Sequence, residues 1–435
     1  MSNYNKDYVI GIDPGTSKTV AIAAEIDEDN NLNVLGIIKT PSKGIQSGRV
    51  SNIEEMVETI NIAVDELRNE VQGLDIGNAY VSISGDHIRS SNSTGLVAIK
   101  GNEVTELDIE EVIKTAKATS IPADQEILHT IVQEYKIDGQ YGIDEPIGMS
   151  GRRLEVHTHI VSGGISAMQN IIKCVRRCDV DVNDLVLQPL AASHAVLSKD
   201  EKDIGVCLVD IGGGTIDIAV WTSGAIRATW VLPIAGEHIT TDIAMVIRTP
   251  KSEAEIIKCK YGTAISELAE VEESIEVIGI DDRPTRSLSK RALADVIQPR
   301  VEEMFEHVQA ELRHGGFIEA LSSGVVLTGG ASVMPGMVEL GEDILGVPVR
   351  LGIPKYKGNL SEKVCRPDMA TAYGLLLEAL NQRKRSQKIQ EKQKEKEIWY
   401  DRIIHGSGKC YCKKSKGKQP RILSERGRKN GKFRL

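Results

Sequence analysis

Apolar and polar positions along the chain switch repeatedly between a period of two and a period near 3.6. Residues 8–12 form an aromatic and β-branched run broken only by Gly11, and residues 20–24 resume it after the turn Asp13-Pro14-Gly15-Thr16. Two such runs around a short turn predict a hairpin. Over 51–71 the period lengthens, and Ile53, Met56, Val57, Ile60, Val64, Leu67 and Val71 share one helical face. Ser51 with Glu54 reads as a capping box at its start. Residues 78–84 return to a strand pattern.

A distinct module follows over 85–155, with a strand-like 95–100, a helix over 106–118, and strands over 127–135 and 156–161 on its far side. Residues 167–177 predict a short helix, and 185–187 lead into another that starts near Pro189. Residues 204–209, the turn Asp210-Ile211-Gly212-Gly213-Gly214-Thr215 and residues 216–221 predict a second hairpin. It lies 197 residues after the first and shares its order of apolar strand, Asp, Gly two residues on, nearby Thr and apolar strand. The repetition suggests two similar lobes. Helices are expected within 233–262 and over 290–312, the latter with a kink at Pro299. A buried strand over 324–327 ends at Thr328-Gly329-Gly330, and helices follow over 337–345 and 369–380. After residue 381 the apolar period is lost, which predicts a linker or tail.

A length of 435 residues predicts several units, and 41% hydrophobic with 26% charged residues marks a globular chain. The formal charge of −9 is unevenly spread: residues 381–435 hold 19 Lys and Arg against 5 Asp and Glu. A basic tail on an acidic body predicts contact with an anionic surface. The seven cysteines are odd in number and mostly in apolar surroundings. With a polar start over 1–7, they predict a reducing cytoplasm. Cys410 and Cys412 have no second pair of thiols, which is too little for a zinc site. No apolar run approaches about 18 residues, so no membrane-crossing helix is expected.

The chemistry concentrates in the two Asp- and Gly-rich turns. Glycine lets backbone amides approach phosphate with no side chain between. Gly212, Gly213 and Gly214 make one such cradle, and Gly15, Thr16 and Ser17 the other. Asp13 and Asp210, each at the end of a strand, suit a hydrated Mg²⁺, which prefers oxygen ligands. Lys18 is placed to neutralise phosphate charge. Neither a P-loop nor a dinucleotide fingerprint occurs.

Five segments resemble those of the actin and sugar-kinase ATPase superfamily. They are Gly11-Ile12-Asp13-Pro14-Gly15-Thr16, Leu187-Gln188-Pro189-Leu190-Ala191, Val209-Asp210-Ile211-Gly212-Gly213-Gly214-Thr215, Val326-Leu327-Thr328-Gly329-Gly330-Ala331 and Asp368-Met369-Ala370-Thr371-Ala372-Tyr373-Gly374. Within that superfamily the chain resembles the FtsA family of bacterial cell-division proteins. The residues that carry this are Ala79-Tyr80-Val81-Ser82-Ile83-Ser84-Gly85, Pro233-Ile234-Ala235-Gly236-Glu237, Thr241-Asp242-Ile243-Ala244 and Arg286-Ser287-Leu288.

The resemblance implies an α/β, actin-like (duplicated ribonuclease H-like) two-lobed ATPase fold with an inserted SHS2 subdomain. Its parts would be 1–84 with 156–190, the insert 85–155, 191–232 with 300–380, a smaller subdomain 233–299, and the tail 381–435. It implies ATP and Mg²⁺ as ligands, with Gly15, Thr16, Ser17, Lys18, Gly212, Gly213, Gly214, Thr215, Gly329 and Gly330 about the nucleotide. Glu255 and Lys258 would hold the ribose and adenine, and Asp13 and Asp210 the metal. Gln188 with Asp210 would serve hydrolysis, and a glutamine orients water but is a poor base, so at most slow turnover is expected.

The implied partners are the C-terminal peptide of FtsZ, met by a basic helix around 286–303, further copies of the chain in a filament, other division proteins through the insert, and an anionic membrane; no nucleic acid is implied. The place would be the cytoplasmic face of the membrane at the division site. Ile398, Trp399, Tyr400, Ile403 and Ile404 form only a stub of the family's usual membrane helix. A PilM-type pilus-assembly adaptor is the alternative within the same fold. A small-molecule kinase is the third reading, for which no catalytic Asp is found.

Overall fold

Two five-stranded sheets repeat one plan. The computed structural model describes residues 7–270, 274–279 and 284–404, with side chains to residue 387 and at 391. In the first sheet Asp7–Pro14, Lys18–Ile26 and Leu32–Pro41 form an antiparallel meander, and Asn78–Ile83 then Asp181–Leu187 add in parallel on the side of Asp7–Pro14. In the second, Val206–Ile211, Ile216–Thr222 and Ala225–Leu232 form the meander, and Val325–Thr328 then Val349–Leu351 add in parallel beside Val206–Ile211. The strands are rich in Val, Ile and Ala, and those nearest each sheet's centre are buried on both faces.

Helices supply the covering layers. Ile53–Glu70 presents Met56, Ile60, Val64 and Leu67 to the first sheet. Its cap is Asn52, whose side chain accepts from the amides of Glu54 and Glu55; Ser51 and Glu54 form no capping box. Asparagine one residue later satisfies the same orphan amides and leaves the serine outside the helix. Between the sheets lies an apolar layer built from Val20 and Ile22 of the first sheet, Leu208 and Val326 of the second, and Ala191 and Leu375 on the helices Gln188–Val196 and Ala370–Ile404. A separate core under the second sheet joins Ile239, Ile257, Ile297 and Phe305.

The inserted module is a four-stranded sheet in the order Arg89–Ala98, Arg153–Gly164, Gln125–Ile137, Gln140–Ile143, with the helix Glu106–Lys117 across it. The strand Arg153–Gly164 pairs along its whole length within this sheet. Ser90 and Asn92 donate to the carbonyls of Thr229 and Arg227, and Gln133 to that of Ile226, at 2.7–3.1 Å. The insert is therefore seated on the edge strand Ala225–Leu232 of the second sheet.

Two further expectations change, and two strands are added to those expected. Residues 286–289 are a strand paired with Ser274–Val277, and the helix starts at Lys290, capped by Ser289, and runs through Pro299 to His314. Two edge strands, Leu32–Pro41 and Ala225–Leu232, carry too mixed a pattern to be read in advance. The last helix does not stop at 380 but continues to Ile404. Its later part has no apolar period, yet Lys, Glu, Gln and Arg are good helix formers. By compactness the chain divides into 1–382 and 383–435. The side chains of Ile398, Trp399, Tyr400, Ile403 and Ile404, and everything after residue 404, lie outside the described residues, as do Cys410 and Cys412.

Candidate functional site

The two Asp–Gly turns fold alike and meet. In the first, the amide of Gly15 donates to the carbonyl of Lys18 at 3.1 Å; in the second, the amide of Gly212 donates to that of Thr215 at 3.0 Å. Each turn leaves an Asp at the end of its incoming strand, Asp13 and Asp210, both buried. The turns are in contact at their tips. A Cβ on Gly213 would stand 2.9 Å from that of Ser17, and one on Gly214 would overlap the Thr16 hydroxyl. No residue with a side chain fits at either position without parting the turns.

Asp13 accepts from the Ser82 hydroxyl at 2.5 Å and from the Gln188 amide at 3.3 Å, and Gln188 also reaches Ser82 at 3.3 Å. These residues converge because Asp7–Pro14, Asn78–Ile83 and Asp181–Leu187 run parallel, so their C-terminal ends form one rim. On the other lobe Asp210 accepts from Thr371 at 3.0 Å. Asp217 sits directly opposite Asp210 in the hairpin register and accepts from Thr215 at 2.9 Å and from Ser84. Burial raises the pKa of all three carboxyls; Asp210 and Asp217 are both pushed up to about 7.

Beside the turns opens a cavity of about 330 Å³ lined by Thr16, Ser17 and Gly213 on one side and by Thr240, Glu255 and Lys258 on the other. The helices Gly236–Ile247 and Lys251–Tyr261 supply this second wall. Lys258 is buried, and its ammonium donates to the Gly236 carbonyl at 3.0 Å, the Thr240 hydroxyl at 2.8 Å and the Glu255 carboxylate at 2.7 Å. Burial works against ionisation of Glu255, but the charge and hydrogen bond of Lys258, with that of Thr240, hold its pKa below the ordinary value. Glu237, Lys251 and Ser252 line the same cavity.

Of the expected site residues, Thr16, Ser17, Gly213, Glu255 and Lys258 line this one cavity. Gly15, Gly212, Gly214 and Thr215 complete the turns, and Gln188 stands with Asp13. Gly329 backs onto Asp210, where a Cβ would overlap the carboxylate, and Gly330 follows it. Lys18 is engaged elsewhere: its ammonium donates to the carbonyl of Asp368 at 2.8 Å and also to its carboxylate. Lys39 at 2.8 Å and Arg366 at 2.9 Å bind that same carboxylate. Although Asp368 is partly buried, these cations, Lys18 foremost, hold its pKa well below the usual carboxylate range.

A family model described as "Cell division protein FtsA" matches residues 207–374, and one described as "SHS2 domain inserted in FTSA" matches residues 85–162. The cell division protein FtsA of Pseudomonas aeruginosa is 51% identical over 372 residues, which cover 86% of this chain and 89% of that protein. The chain belongs to the FtsA family. FtsA of Escherichia coli K12 is 39% identical over 381 residues, 86% of this chain and 90% of that one. Among solved structures, a PilM-PilN type IV pilus biogenesis complex matches with a TM-score of 0.61 at 16% identity, covering 86% of this chain and 98% of that one. The likeness to PilM is one of fold alone. The fold of this FtsA-family chain is actin-like and α/β, with the SHS2 module inserted between the strands Asn78–Ile83 and Asp181–Leu187 of its first lobe.

Proposed function

We propose that this chain binds ATP with Mg²⁺ in the cavity beside the two glycine turns, and that the nucleotide-bound form polymerises and tethers FtsZ filaments to the cytoplasmic face of the membrane at the division site. The observation that carries the nucleotide reading is the meeting of Gly213 and Gly214 with Ser17 and Thr16, which turns the backbone of both lobes toward one point with no side chain in the way. The buried carboxylates of Asp13 and Asp210 form an oxygen-only donor set that suits Mg²⁺. When bound, the ion offsets the charge of the phosphates. Glu255 and Lys258 would meet the ribose and adenine. Gln188, tied to Asp13 and Ser82, would orient a water without taking its proton, which fits slow hydrolysis. Lys18 would serve phosphate on leaving Asp368.

The tethering part rests on membership of the FtsA family. Arg286, in the strand just before the helix Lys290–His314, and Arg291, in the first turn of that helix, are exposed and suit an acidic peptide such as the FtsZ tail, whereas Arg300 is bound to Asp242 and Glu303. The insert, 85–155, would receive other division proteins. Membrane attachment would fall to the basic tail, 381–435, since among the described residues no helix is long and apolar enough to cross a bilayer. Each Lys or Arg near anionic lipid contributes roughly 1 kcal/mol.

The test is pelleting of the full chain with anionic vesicles and FtsZ, with and without Mg·ATP, against Asp210→Ala. Nucleotide-dependent co-pelleting that Asp210→Ala abolishes is the expected result. Co-pelleting indifferent to nucleotide and to the substitution would overturn the proposal. A chain ending at residue 393 should lose vesicle binding, and equal flotation of the two chains would remove the tail from the account.

A further inference from the structure

Two serines, Ser82 in the strand Asn78–Ile83 and Ser84 just past its end, reach carboxylates in different lobes. Ser82 ends its reach within the first lobe, on Asp13. Ser84, two residues on, donates to Asp217 in the strand Ile216–Thr222 of the second lobe. Both serines are buried, so neither bond competes with water. Asp217 also receives Thr215, the last residue of the second glycine turn.

Ser84 is also the last residue before the chain enters the insert. Gly85 follows with φ +138°, a backbone value that side-chain-bearing residues rarely adopt. The insert then returns to the first lobe through the strand Arg153–Gly164 and the helix Ile165–Arg176. Between those two attachments it holds the second lobe: Ser90, Asn92 and Gln133 bond backbone carbonyls of Ala225–Leu232, and His159 stands 3.0 Å from the Thr229 hydroxyl. Ala225–Leu232 is hydrogen-bonded in turn to the strand that carries Asp217. The insert is thus covalently part of one lobe and hydrogen-bonded to the other, and Ser84 closes the loop at the cavity end.

We infer that Ser84 is a positioning residue that fixes Asp217 beside the second glycine turn and thereby couples that turn to the seat of the inserted subdomain on the second lobe. The inference rests on the nucleotide reading only for the identity of the ligand that feels the coupling. Any motion of one lobe against the other must break the Ser84–Asp217 bond, shift the insert along Ala225–Leu232, or both. Ser82, whose bond stays inside one lobe, supplies the built-in contrast.

The experiment is amide hydrogen exchange on the full chain for wild type, Ser84→Ala, Ser84→Thr and Ser82→Ala, first without nucleotide and then with Mg²⁺ and a non-hydrolysable ATP analogue, alongside calorimetry with the same analogue. Without nucleotide, Ser84→Ala should exchange several-fold faster over 89–98 and 225–232 and unchanged over 18–26, while Ser82→Ala should leave 89–98 and 225–232 as in the wild type. Ser84→Thr, which keeps the hydroxyl, should restore slow exchange. With the analogue, the wild type should slow over 225–232, and Ser84→Ala should not respond and should bind about tenfold more weakly, the scale of one lost hydrogen bond. Equal nucleotide-free exchange in Ser84→Ala and wild type overturns the inference whether or not nucleotide binds. So does faster exchange everywhere, including 18–26, which would mean that the serine only supports folding. Failure of the wild type to bind the analogue would sink the nucleotide reading and leave the nucleotide-free comparison to decide the role of Ser84.

Discussion

Gly374 lies so close over Ala191 that a Cβ on the glycine would overlap the alanine carbonyl oxygen. The two residues belong to the helices Ala370–Ile404 and Gln188–Val196, which cross between the two sheets and carry the apolar layer that joins the lobes. Glycine inside a helix is ordinarily a cost of about 1 kcal/mol relative to alanine. Here it is the residue that lets the backbones touch.

Gly374→Ala should therefore destabilise the chain, although helix propensity alone predicts the opposite. The obstructing atom is backbone and cannot swing aside, so the helices must part, at about 1–3 kcal/mol for overpacking of this kind. Urea unfolding checks it. A midpoint at or above that of the wild type would show that the crossing is looser than described.

A pH effect follows from the seat of the insert. His159 is buried, with one ring nitrogen 2.8 Å from the Asn92 side-chain oxygen and the other 3.0 Å from Thr229, and burial lowers its pKa from 6.5 to about 4. Above pH 6.5 the imidazole is neutral in both folded and unfolded chains and adds no pH dependence. Between 6.5 and about 4 the unfolded chain takes up a proton that the folded one refuses, so stability falls as the pH falls. From pH 7 to pH 5 this group should remove about 2 kcal/mol. His87, likewise buried with its pKa lowered to about 4, steepens the same slope. Denaturant midpoints at the two pH values, for wild type and His159→Gln, measure it; the variant should lose less on acidification, and parallel behaviour would remove His159 from the explanation.

Much of this fold is legible in the sequence alone, and the reasons differ by element. The two hairpins announce themselves because their signals are local: apolar runs on each side of a turn that opens on Asp and is rich in Gly and Thr. Asp217 was within reach as well, since pairing outward from the Gly212–Thr215 turn puts it opposite Asp210. Ser82 and Ser84 were not, because their partners lie 69 and 133 residues away and meet them only once the parallel strands and the lobes are assembled. Asp368 is similar, as nothing local tells that Lys18 and Lys39 converge on it. The continuation of the last helix to Ile404 is hidden for a different reason: apolar periodicity reports burial, and a helix rich in Lys, Glu and Gln can form without it.

Lys258 separates nucleotide affinity from stability. Its ammonium makes three hydrogen bonds at the cavity wall, but Glu255, its charged partner, has 44% of its side chain exposed. Water can take the place of the lost cation, so Lys258→Met should cost about 1 kcal/mol of stability or less. The loss of affinity for Mg·ATP should be larger, roughly 10- to 100-fold, the scale of a hydrogen bond with a charged partner. Calorimetry and thermal melting on the same samples distinguish the two, and a variant that melts early yet binds normally would assign Lys258 to the fold alone.

The glycines of the second turn should not be equivalent. A Cβ on Gly212 would meet only the Thr215 carbonyl oxygen, at 3.2 Å, which a small shift relieves. On Gly214 it would overlap the Thr16 hydroxyl and stand 3.0 Å from both the Cβ of Thr16 in the first turn and the Cα of Ser47. The hydroxyl can rotate away, but the Cα belongs to the backbone of the opposite lobe and must move with its loop. Gly214→Ala therefore pushes the two turns apart at the point where their amides converge. It should reduce binding of Mg·ATP at least about 100-fold if the cradle needs both turns in contact, because phosphate recognition by main-chain amides depends on their mutual placement. Gly212→Ala, which leaves the contact between the lobes intact, should lose about tenfold or less. Titration of both variants by calorimetry gives the ranking, and equal affinities would mean that the meeting of the turns is incidental to binding.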